Sequence, residues 1–456
     1  MKSRKAGPVR ICLMLCFLLG LMLGFGGCNL FDLIDEPGTG DGTEDNPYLI
    51  TTLEDLQAME DDLWAHYALL NDIDATPTAD WNGGKGFAPV GNHDSPFRGS
   101  LDGRGFVING LIVDRPTDSN AGLFGAFAGE ARVENLIIKE VDITGHGWVG
   151  AVVGLMKEGT IKDIEAQGQV YSTGIFAGGI AGEIEKGTVE NCRAAVAVSG
   201  EMSRLGGLIG RNLSGTIKNS HATGRVEGLG NSNKVGGFVG QNYYGEIENC
   251  TATGEVSGNF KVGGFVGRVY QESRIIDSSA SGDVSASGDY AGGFGGLINA
   301  PISSSKASGN VEGAGDWVGG FAGFNGAEQS VIEYCYATGS VSGGNNVGGF
   351  SGHNRGTLNQ VYARGPVNGE EQSGGLFGFN EGQVEASYYE LGPAAPGVTV
   401  DDWGRTTEQM QAGFPDAVLD LNGEDCPEGD IIYAGWEEDT WNFGTDTDYP
   451  WLRWLD

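Results

Sequence analysis

The chain has 456 residues, a formal net charge of −34 and 81 glycines. Binding to a nucleic-acid phosphate backbone requires a basic surface, so this acidity excludes nucleic acid as a partner. Glycine is more than twice as frequent as in an average protein. Hydrophobic residues nevertheless make up 39% of the chain, and the glycines lack a collagen period, so we expect a folded protein.

Residues 1–27 have the pattern of a signal peptide. Four basic residues precede an apolar stretch, 11–25, which has the length of a signal core and is too short for a membrane span. The sequence Phe25-Gly26-Gly27-Cys28 follows, and it resembles the lipobox of bacterial lipoproteins, although Phe25 departs from the usual leucine. We predict that Cys28 is lipidated and anchors the chain to a membrane. The alternative is an ordinary secretory signal with an incidental cysteine.

Lipidation predicts a location in a bacterial cell envelope, either exposed at the surface or facing the periplasm. In a Gram-negative cell the outer membrane is expected, because Asn29 rather than an aspartate follows the cysteine. Residues 28–45 are acidic and rich in Gly and Thr, which predicts a flexible tether. The five cysteines left after cleavage do not form a disulfide framework.

Residues 46–118 are predicted to form an N-terminal cap and the first coils of a repeat. Thr52 and Asp55 have the spacing of a capping box, and the apolar residues that follow predict an amphipathic helix over Leu53–His66. Leu69–Asp74 and Phe87–Val90 are predicted to be strands. A solenoid needs such a cap because its end coil exposes an open sheet edge.

Residues 119–392 contain ten copies of a glycine-rich motif, which is clearest at 262–267, Val-Gly-Gly-Phe-Val-Gly. A period of about 28 residues predicts stacked repeats. Each repeat has three short apolar pieces, none long enough for an amphipathic helix, so one strand is expected from each. The predicted fold class is therefore all-β: a right-handed parallel β-helix of about ten coils of ~28 residues, capped at both ends. The closing glycines of the ten copies are Gly125, Gly154, Gly182, Gly210, Gly240, Gly267, Gly296, Gly323, Gly352 and Gly378.

Residues at equivalent positions of successive repeats form columns. A column two residues before the closing glycine is predicted to fill the core, as are an Ile/Val column, an Ala column and a Val column further along each repeat. The core column near the glycines is Leu123, Val152, Ile180, Leu208, Phe238, Phe265, Phe294, Phe321, Phe350 and Leu376. The Val column is Val170, Val198, Val226, Val256, Val284, Val311, Val341 and Val367.

Five Asx residues form a polar column. It can be a row of ligand-binding groups, or a ladder at a corner where side chains satisfy the backbone of a turn, and we expect the ladder. The next column contains Cys192 and Cys250, two coils apart; at about 9.6 Å they are too distant for a disulfide, so buried thiols are expected. The Asx residues are Asp163, Asn191, Asn219, Asn249 and Asp277.

An outward column ends in three tyrosines on the last coils, Tyr336, Tyr362 and Tyr388. Stacked outward tyrosines can form a platform for sugar rings or partner side chains, and these three are the predicted binding residues. Two alternatives are a ladder that stabilises the sheet through aromatic pairs and packing beneath the C-terminal segment.

Residues 393–456 are acidic and rich in tryptophan, which predicts a C-terminal cap over the last coil. Thr406–Ala412 is predicted to be a short helix within it. A separate aromatic carbohydrate-binding module is the alternative for this segment.

The repeat resembles bacterial proteins that carry the GLUG motif. The match is GGFVGxN followed by GxIxNCxATGxVSG at 236–258, and it extends to Asn46-Pro47-Tyr48 and Tyr449-Pro450-Trp451-Leu452. The resemblance implies a secreted or surface protein, of the kind that includes adhesin-like proteins and non-catalytic parts of immunoglobulin A peptidases. None of the five histidines begins the His-Glu-x-x-His motif of a zinc peptidase, so that activity is not carried over.

The predicted function is that of a surface-anchored lipoprotein, a non-catalytic adhesin or structural binding module without cofactor or metal. Its expected partners are the membrane, through lipid on Cys28, and glycans or surface and matrix proteins. One alternative is a polysaccharide lyase or glycosidase on the same scaffold, which needs carboxylates that cluster across coils. The other is a passive spacer.

Overall fold

A computed structural model describes residues 40–270, 272–391, 398–399, 404–405, 407, 410, 436, 439–442 and 449–455. Within them the chain is a parallel β-solenoid of about ten turns of ~28 residues, which confirms the predicted fold class. The hand of the coil stays a prediction. The signal peptide, Cys28 and most of the tether lie outside the described residues. No helix in the described ranges is long and apolar enough to cross a membrane.

The coils build two long sheets, and we name their strands by three faces. The strand that carries the Val-Gly-Gly part of the motif is the first face, the strand after the motif is the second, and the rest of the coil is the third. The second face is a ten-stranded parallel sheet. Its strands are Phe124–Phe127, Val153–Met156, Ala181–Ile184, Ile209–Asn212, Val239–Asn242, Val266–Val269, Gly295–Ile298, Ala322–Asn325, Ser351–Asn354 and Phe377–Asn380.

The first and third faces belong to one 38-stranded sheet. The first face has Asn120–Ala121, Trp148–Gly150, Phe176–Gly178, Ser203–Gly206, Asn233–Gly236, Phe260–Gly263, Ala291–Gly292, Val318–Gly319, Val341–Gly348 and Val367–Gly374, the last two reaching it from the third face. The third face has Arg132–Gly145, Thr160–Ser172, Thr188–Glu190, Arg193–Gly200, Thr216–Lys218, His221–Ala222, Val226–Gly228, Glu246–Glu248, Thr251–Ala252, Val256–Gly258, Arg274–Ile276, Ser279–Ala280, Val284–Ala286, Ile302–Ser303, Lys306–Ala307, Val311–Gly313, Val331–Ala337, Thr357–Ala363, Gln383–Glu385 and Tyr388–Glu390.

The prediction of three strands per coil was too low. The coil over 233–258 has five, because its third face is broken into three pieces. One break is at Asn249, whose φ of 52° is left-handed and turns the chain. A second break lies between Ala252 and Val256. Short apolar runs predict where strands exist, but a single left-handed residue decides where each one ends.

The N-terminal cap differs from its prediction in helix length. Thr52 and Asp55 form the expected capping box, but the helix is only Leu53–Gln57, continued by a 3-10 turn over Ala58–Asp61. The chain is extended at Asp62 and enters the strand His66–Leu69, which pairs with Tyr48–Ile50, so sheet pairing overrides the helical pattern. Thr76–Gly83 and Arg453–Leu455 are further 3-10 turns.

The remaining strands lie at the two ends of the solenoid. Phe87–Val90 is not a strand and has only an isolated bridge at Val90, which corrects that prediction. Strands near the C-terminus extend the sheet beyond the last coil or form a small antiparallel pair. The N-terminal strands are Tyr48–Ile50, His66–Leu69, Ile73–Asp74, Ser100–Asp102, Val107–Asn109 and Ile112–Asp114, and the C-terminal ones are Val398–Thr399, Gly404–Arg405, Trp441–Asn442 and Trp451–Leu452.

The core columns pair in the register that the repeat predicts. Val198 lies between Val170 and Val226, and Ala252 between Ala222 and Ala280. The phenylalanines of the core column are fully buried and stack face to face, with ring centroids 4.7–4.9 Å apart and ring planes within 15° of parallel. Burial of each ring contributes about 1.5–3 kcal/mol. The stack is Phe238, Phe265, Phe294, Phe321 and Phe350.

The second glycine of the motif sets how closely the coils approach. A Cβ on Gly264 would lie 2.1 Å from the carbonyl oxygen of Gly293 on the next coil, which is far inside contact distance. The same contact recurs at Gly237, Gly293 and Gly320. The motif glycines are therefore needed for stacking, as the column pattern predicted.

Deleting one ring of the stack should destabilise the solenoid. We expect Phe294→Ala to lower the free energy of unfolding by about 3–5 kcal/mol, because the cavity has stacked rings above and below it. Phe379→Ala is the matched control, since that ring is 42% exposed, and a change below about 1 kcal/mol is expected. Guanidinium-induced unfolding measures both, and equal losses would contradict the inner role of the stack.

A single methyl group at the coil contact should also be costly. We expect Gly264→Ala to lower the free energy of unfolding by about 1–3 kcal/mol or more, because a backbone carbonyl has to move. At Gly344 the nearest atom to an added Cβ is 3.2 Å away, so Gly344→Ala should change the thermal midpoint far less. A Gly264→Ala variant with an unchanged midpoint would refute the tight contact.

Candidate functional site

The three predicted tyrosines do stack on the outer side of the last coils. Tyr336 pairs with Tyr362 and Tyr362 with Tyr388, and the rings of the first two lie 4.9 Å apart at 3°. However, Tyr336 and Tyr362 are buried, with 7% and 2% of their surface exposed. Two of the three rings are therefore covered, whereas Tyr388 is half-buried, and ligand binding by these tyrosines stays a prediction.

Residues of the C-terminal segment cover the tyrosines. Trp436 and Trp441 pack in one apolar cluster with them, and the Tyr362 hydroxyl donates to the carbonyl of Pro450 at 2.8 Å. Burial raises the pKa of the Tyr336 phenol. The packing matches the alternative in which these rings support the C-terminal segment, so a ligand could reach them only by displacing it.

The Asx column forms the expected ladder. Its members have left-handed φ values of 48–54°, and Asn191 donates to Asp163 while Asn249 donates to Asn219. Two neighbouring pairs of the column therefore bond to one another between coils. The prediction was that these side chains would bond to the backbone of the turn.

The cysteine column is buried. Cys192, Cys250 and Cys335 are free thiols, and desolvation raises the pKa of the first two to about 12. These thiols are structural, as the column predicted. In the described part of the chain, no three His, Cys, Asp or Glu side chains come together as a metal site.

A different set of outward residues forms the strongest candidate site. We call Arg204, Lys234 and Lys261 of the first face and Arg211 and Arg268 of the second face the basic cluster. On the first face, each cation immediately precedes the buried apolar residue of the motif, on three successive coils. On the second face, Arg211 and Arg268 flank Gln241 in register.

The two rows of the basic cluster meet across the corner between the first and second faces. Arg204 Nε donates to Gln241 Oε1 at 2.6 Å. The guanidiniums of Arg204 and Arg211 lie 5.0 and 4.5 Å from the ring centre of Phe176. Five cations from three coils therefore share one surface of an otherwise acidic protein.

Most of these cations have no acidic partner. Arg211 pairs with the buried Glu183, but no ion pair joins the other four to any residue that the structure describes. Arg268 stacks 3.9 Å from the Tyr270 ring, and its buried Nε has no hydrogen-bond partner. Lys261 Nζ contacts an aromatic ring where a carboxylate would be expected: it lies 3.7 Å from the centre of the Phe260 ring. The donors of the cluster are thus only partly satisfied.

The lysines of the cluster have lowered pKa values, because they are partly buried and lie close to other cations. Burial, together with Arg204 and Arg268, lowers the pKa of Lys234 to about 8. Burial, together with Lys234 and Arg268, lowers the pKa of Lys261 to about 8, against an opposing effect of Asp289. The pKa of Arg204 is also lowered, by burial and by Arg211. Like charges held together in this way are a feature of functional sites.

Aromatic rings extend the first-face row at both ends. Trp148 and Phe176 stack 6.0 Å apart before Arg204, and Tyr290 and Trp317 lie 4.7 Å apart after Lys261. The row therefore spans seven successive coils, aromatic at its ends and cationic in its centre. At about 4.8 Å per coil, it is roughly 29 Å long.

Sequence reasoning missed the basic cluster, although a signal existed. The core columns were compared from repeat to repeat, but the residue just before each Val-Gly-Gly was not. That residue forms a column too, and on three consecutive repeats it is Arg204, Lys234 and Lys261. The convergence of this row with Arg211 and Arg268 could not be read from spacing, because it depends on the angle between two faces.

Comparison with known proteins finds one motif family and two relatives that match parts of the chain. Four stretches match the GLUG motif: 203–227, 231–257, 258–285 and 318–342. "Halomucin" of Haloquadratum walsbyi is 42% identical over 137 residues, which is 29% of this chain and 2% of that protein. A "Putative Gly-rich membrane protein" of Evansella cellulosilytica is 37% identical over 120 residues, 25% of this chain and 14% of that protein.

A solved structure described as a "putative immunoglobulin A1 protease" from Bacteroides ovatus aligns over 91% of this chain and 95% of its own, with 18% identity and a TM-score of 0.39. That similarity is too low to support a conclusion. This chain spans only a small part of the two curated relatives. The predicted GLUG repeats are confirmed: the chain carries them at four places between residues 203 and 342.

Proposed function

We propose that the chain is a non-catalytic binding module of a cell envelope, an adhesin or structural binding protein whose ligands are glycans or surface proteins. The basic cluster is the observation that carries this proposal. A half-buried cation without a partner is costly, since it gives up solvation without gaining an ion pair. Four such groups on adjacent coils, with Arg211 beside them, lower stability unless an anionic ligand covers them.

The solenoid suits this role because its interior is filled by its own side chains and has no space for a ligand. The inward positions are filled by stacked rings and aliphatic side chains, and the motif glycines touch the next coil. Outward positions can vary without disturbing the stack, as in other repeat proteins. The basic cluster uses such positions on three coils.

A location at the cell envelope is the second part of the proposal. It is supported by the signal-like N-terminus ending at Cys28, by the words "membrane protein" in the name of one relative, and by the GLUG repeats. In this proposal lipid on Cys28 anchors the protein, and the acidic tether holds the solenoid away from the membrane surface.

A polysaccharide lyase or glycosidase is the alternative, and one cavity bears on it. A cavity of about 620 Å³ is lined by Asp102, Asp163 and Glu165 among others. However, Asp102 accepts hydrogen bonds from Arg104 N and Asn135 Nδ2, and Asp163 accepts one from Asn191. Carboxylates engaged in turns and ladders favour a structural role, so we propose that the protein is not an enzyme. A spacer role would leave the basic cluster unexplained.

A binding screen on the full-length protein in detergent tests the proposal. We expect retention on acidic glycans or acidic surface proteins, and a loss of roughly tenfold in affinity for the Lys234→Gln/Lys261→Gln double variant, because two ligand ion pairs are removed. Lys306→Gln is the matched control, since Lys306 is also half-buried but lies on the third face.

Failure of wild-type protein to bind any member of the screen would overturn the binding proposal. Product analysis runs in parallel on the same polysaccharides. Released oligosaccharides that disappear in Asp163→Asn would favour the enzyme alternative.

Lipidation has its own test. We expect Cys28→Ser to abolish incorporation of labelled fatty acid and to leave a larger precursor, because the acceptor thiol is gone. Cys192→Ser is the control, since serine already occupies the same buried column at Ser220 and Ser278. Fatty-acid label that persists in Cys28→Ser would show that another residue is acylated.

A further inference from the structure

We infer that the basic cluster binds a linear polysaccharide whose sugar rings carry carboxylates, a uronate polymer laid along the solenoid across the coils that begin at Arg204, Lys234 and Lys261. This inference rests on the proposed binding function and names its ligand class.

The spacing of the cations fits a polymer with regularly repeated charges. Arg204, Lys234 and Lys261 occupy one row on consecutive coils, so their strands lie about 4.8 Å apart. Arg211 and Arg268 form a parallel row two coils apart on the second face. A ligand with one carboxylate on each ring would meet a cation at every step of one or two coils.

The donor types fit carboxylates. Arginine guanidiniums present a planar fork that matches a carboxylate, and lysine ammoniums add point charges. Arg211 Nε and Arg268 Nε are buried without a hydrogen-bond partner in the described structure. Gln241, between the two arginines, is buried, and its oxygen accepts from Arg204, so it holds that guanidinium in place within the cluster.

The fold disfavours an extended acidic peptide. Peptides that bind to sheets usually add a strand to an exposed edge. Here the strands Ser203–Gly206, Asn233–Gly236 and Phe260–Gly263 are each paired with the coil before and the coil after. No strand edge is open along the cluster, so recognition has to come from side chains alone.

The aromatic ends of the row favour rings over a featureless polyanion. Trp148 lies before the cations, and Tyr290 and Trp317 follow them; all three are half-buried, whereas Phe176 is buried beneath two of the arginines. A uronate polymer combines anionic groups with apolar C–H surface, which can lie against these side chains. A polyanion without rings would gain only the charge contacts.

Binding of full-length protein to three probes tests this inference: polygalacturonate, the same polymer with its carboxylates methyl-esterified, and poly-L-glutamate. We expect polygalacturonate to bind, and both other probes to bind at least about tenfold more weakly. Lys234→Gln and Lys261→Gln should each weaken polygalacturonate binding by roughly threefold, and together by roughly tenfold, and Lys306→Gln should not change it.

The pH dependence gives an independent readout. Binding should weaken as pH rises from 7 to 9.5, because Lys234 and Lys261 lose protons near pH 8 while the ligand carboxylates stay ionised. Lys234 faces Arg204 and Arg268, and Lys261 faces Lys234, Arg268 and Asp289. The arginines stay charged over this range, so the loss should be partial.

The outcomes separate this inference from the proposed function. Equal binding of poly-L-glutamate, or of the esterified polymer, would overturn the uronate assignment and leave a binding module of another specificity. No binding to polygalacturonate, with retention of another ligand in the screen, would do the same. Only a protein that binds nothing would overturn both.

Discussion

The structure depends on a backbone contact between successive coils that leaves no room for a side chain. At Gly237, Gly264, Gly293 and Gly320, each coil comes so close to the carbonyl oxygen of the next that a single Cβ would collide with it. This approach sets the strand spacing, and the spacing brings the core phenylalanines into ring-to-ring contact at 4.7–4.9 Å. The glycines and the phenylalanines of the motif are therefore two parts of one constraint.

The same constraint divides the surface. Inward positions repeat strictly, so they carry no specificity, and outward positions are free to differ from coil to coil. The chain uses this freedom differently along its length. Over the last coils the outward tyrosines pack against the C-terminal segment. Over three middle coils five outward residues of the first and second faces are cations, and among the described residues only Arg211 has an ion-pair partner. Since the whole chain carries a net charge of −34, this concentration of cations is unusual, and we propose that it serves an anionic ligand.

How far the sequence predicts the structure depends on whether a feature repeats. The predictions for the core columns and the buried cysteines were confirmed, because these residues recur at a fixed period and a repeated position is typical of inward packing. The helix over Leu53–His66 was too long and the strand Phe87–Val90 was wrong, because both lie where the repeat is absent and tertiary pairing decides. The tyrosine column was correctly placed on the outer face. Its burial could not be predicted, because Trp436 and Trp441 are far away in sequence and reach it only in the fold. The basic cluster needs the angle between two faces, which no spacing encodes.

Thermal unfolding of Lys234→Met without ligand tests most directly whether the cations are held at a cost to stability. The substitution keeps the aliphatic stem and removes the charge, and Lys306→Met reports the loss of a half-buried charge without the neighbouring arginines. We predict that at pH 7 the midpoint of Lys234→Met rises above wild type by about 1–3 °C and by more than that of Lys306→Met. The difference should shrink as pH rises from 8 towards 10.5, because the lowered pKa of Lys234 means that the unfolded chain binds the extra proton there and wild-type stability rises. A lower midpoint for Lys234→Met would mean that the lysine stabilises the solenoid, and would contradict a surface kept for an anionic ligand.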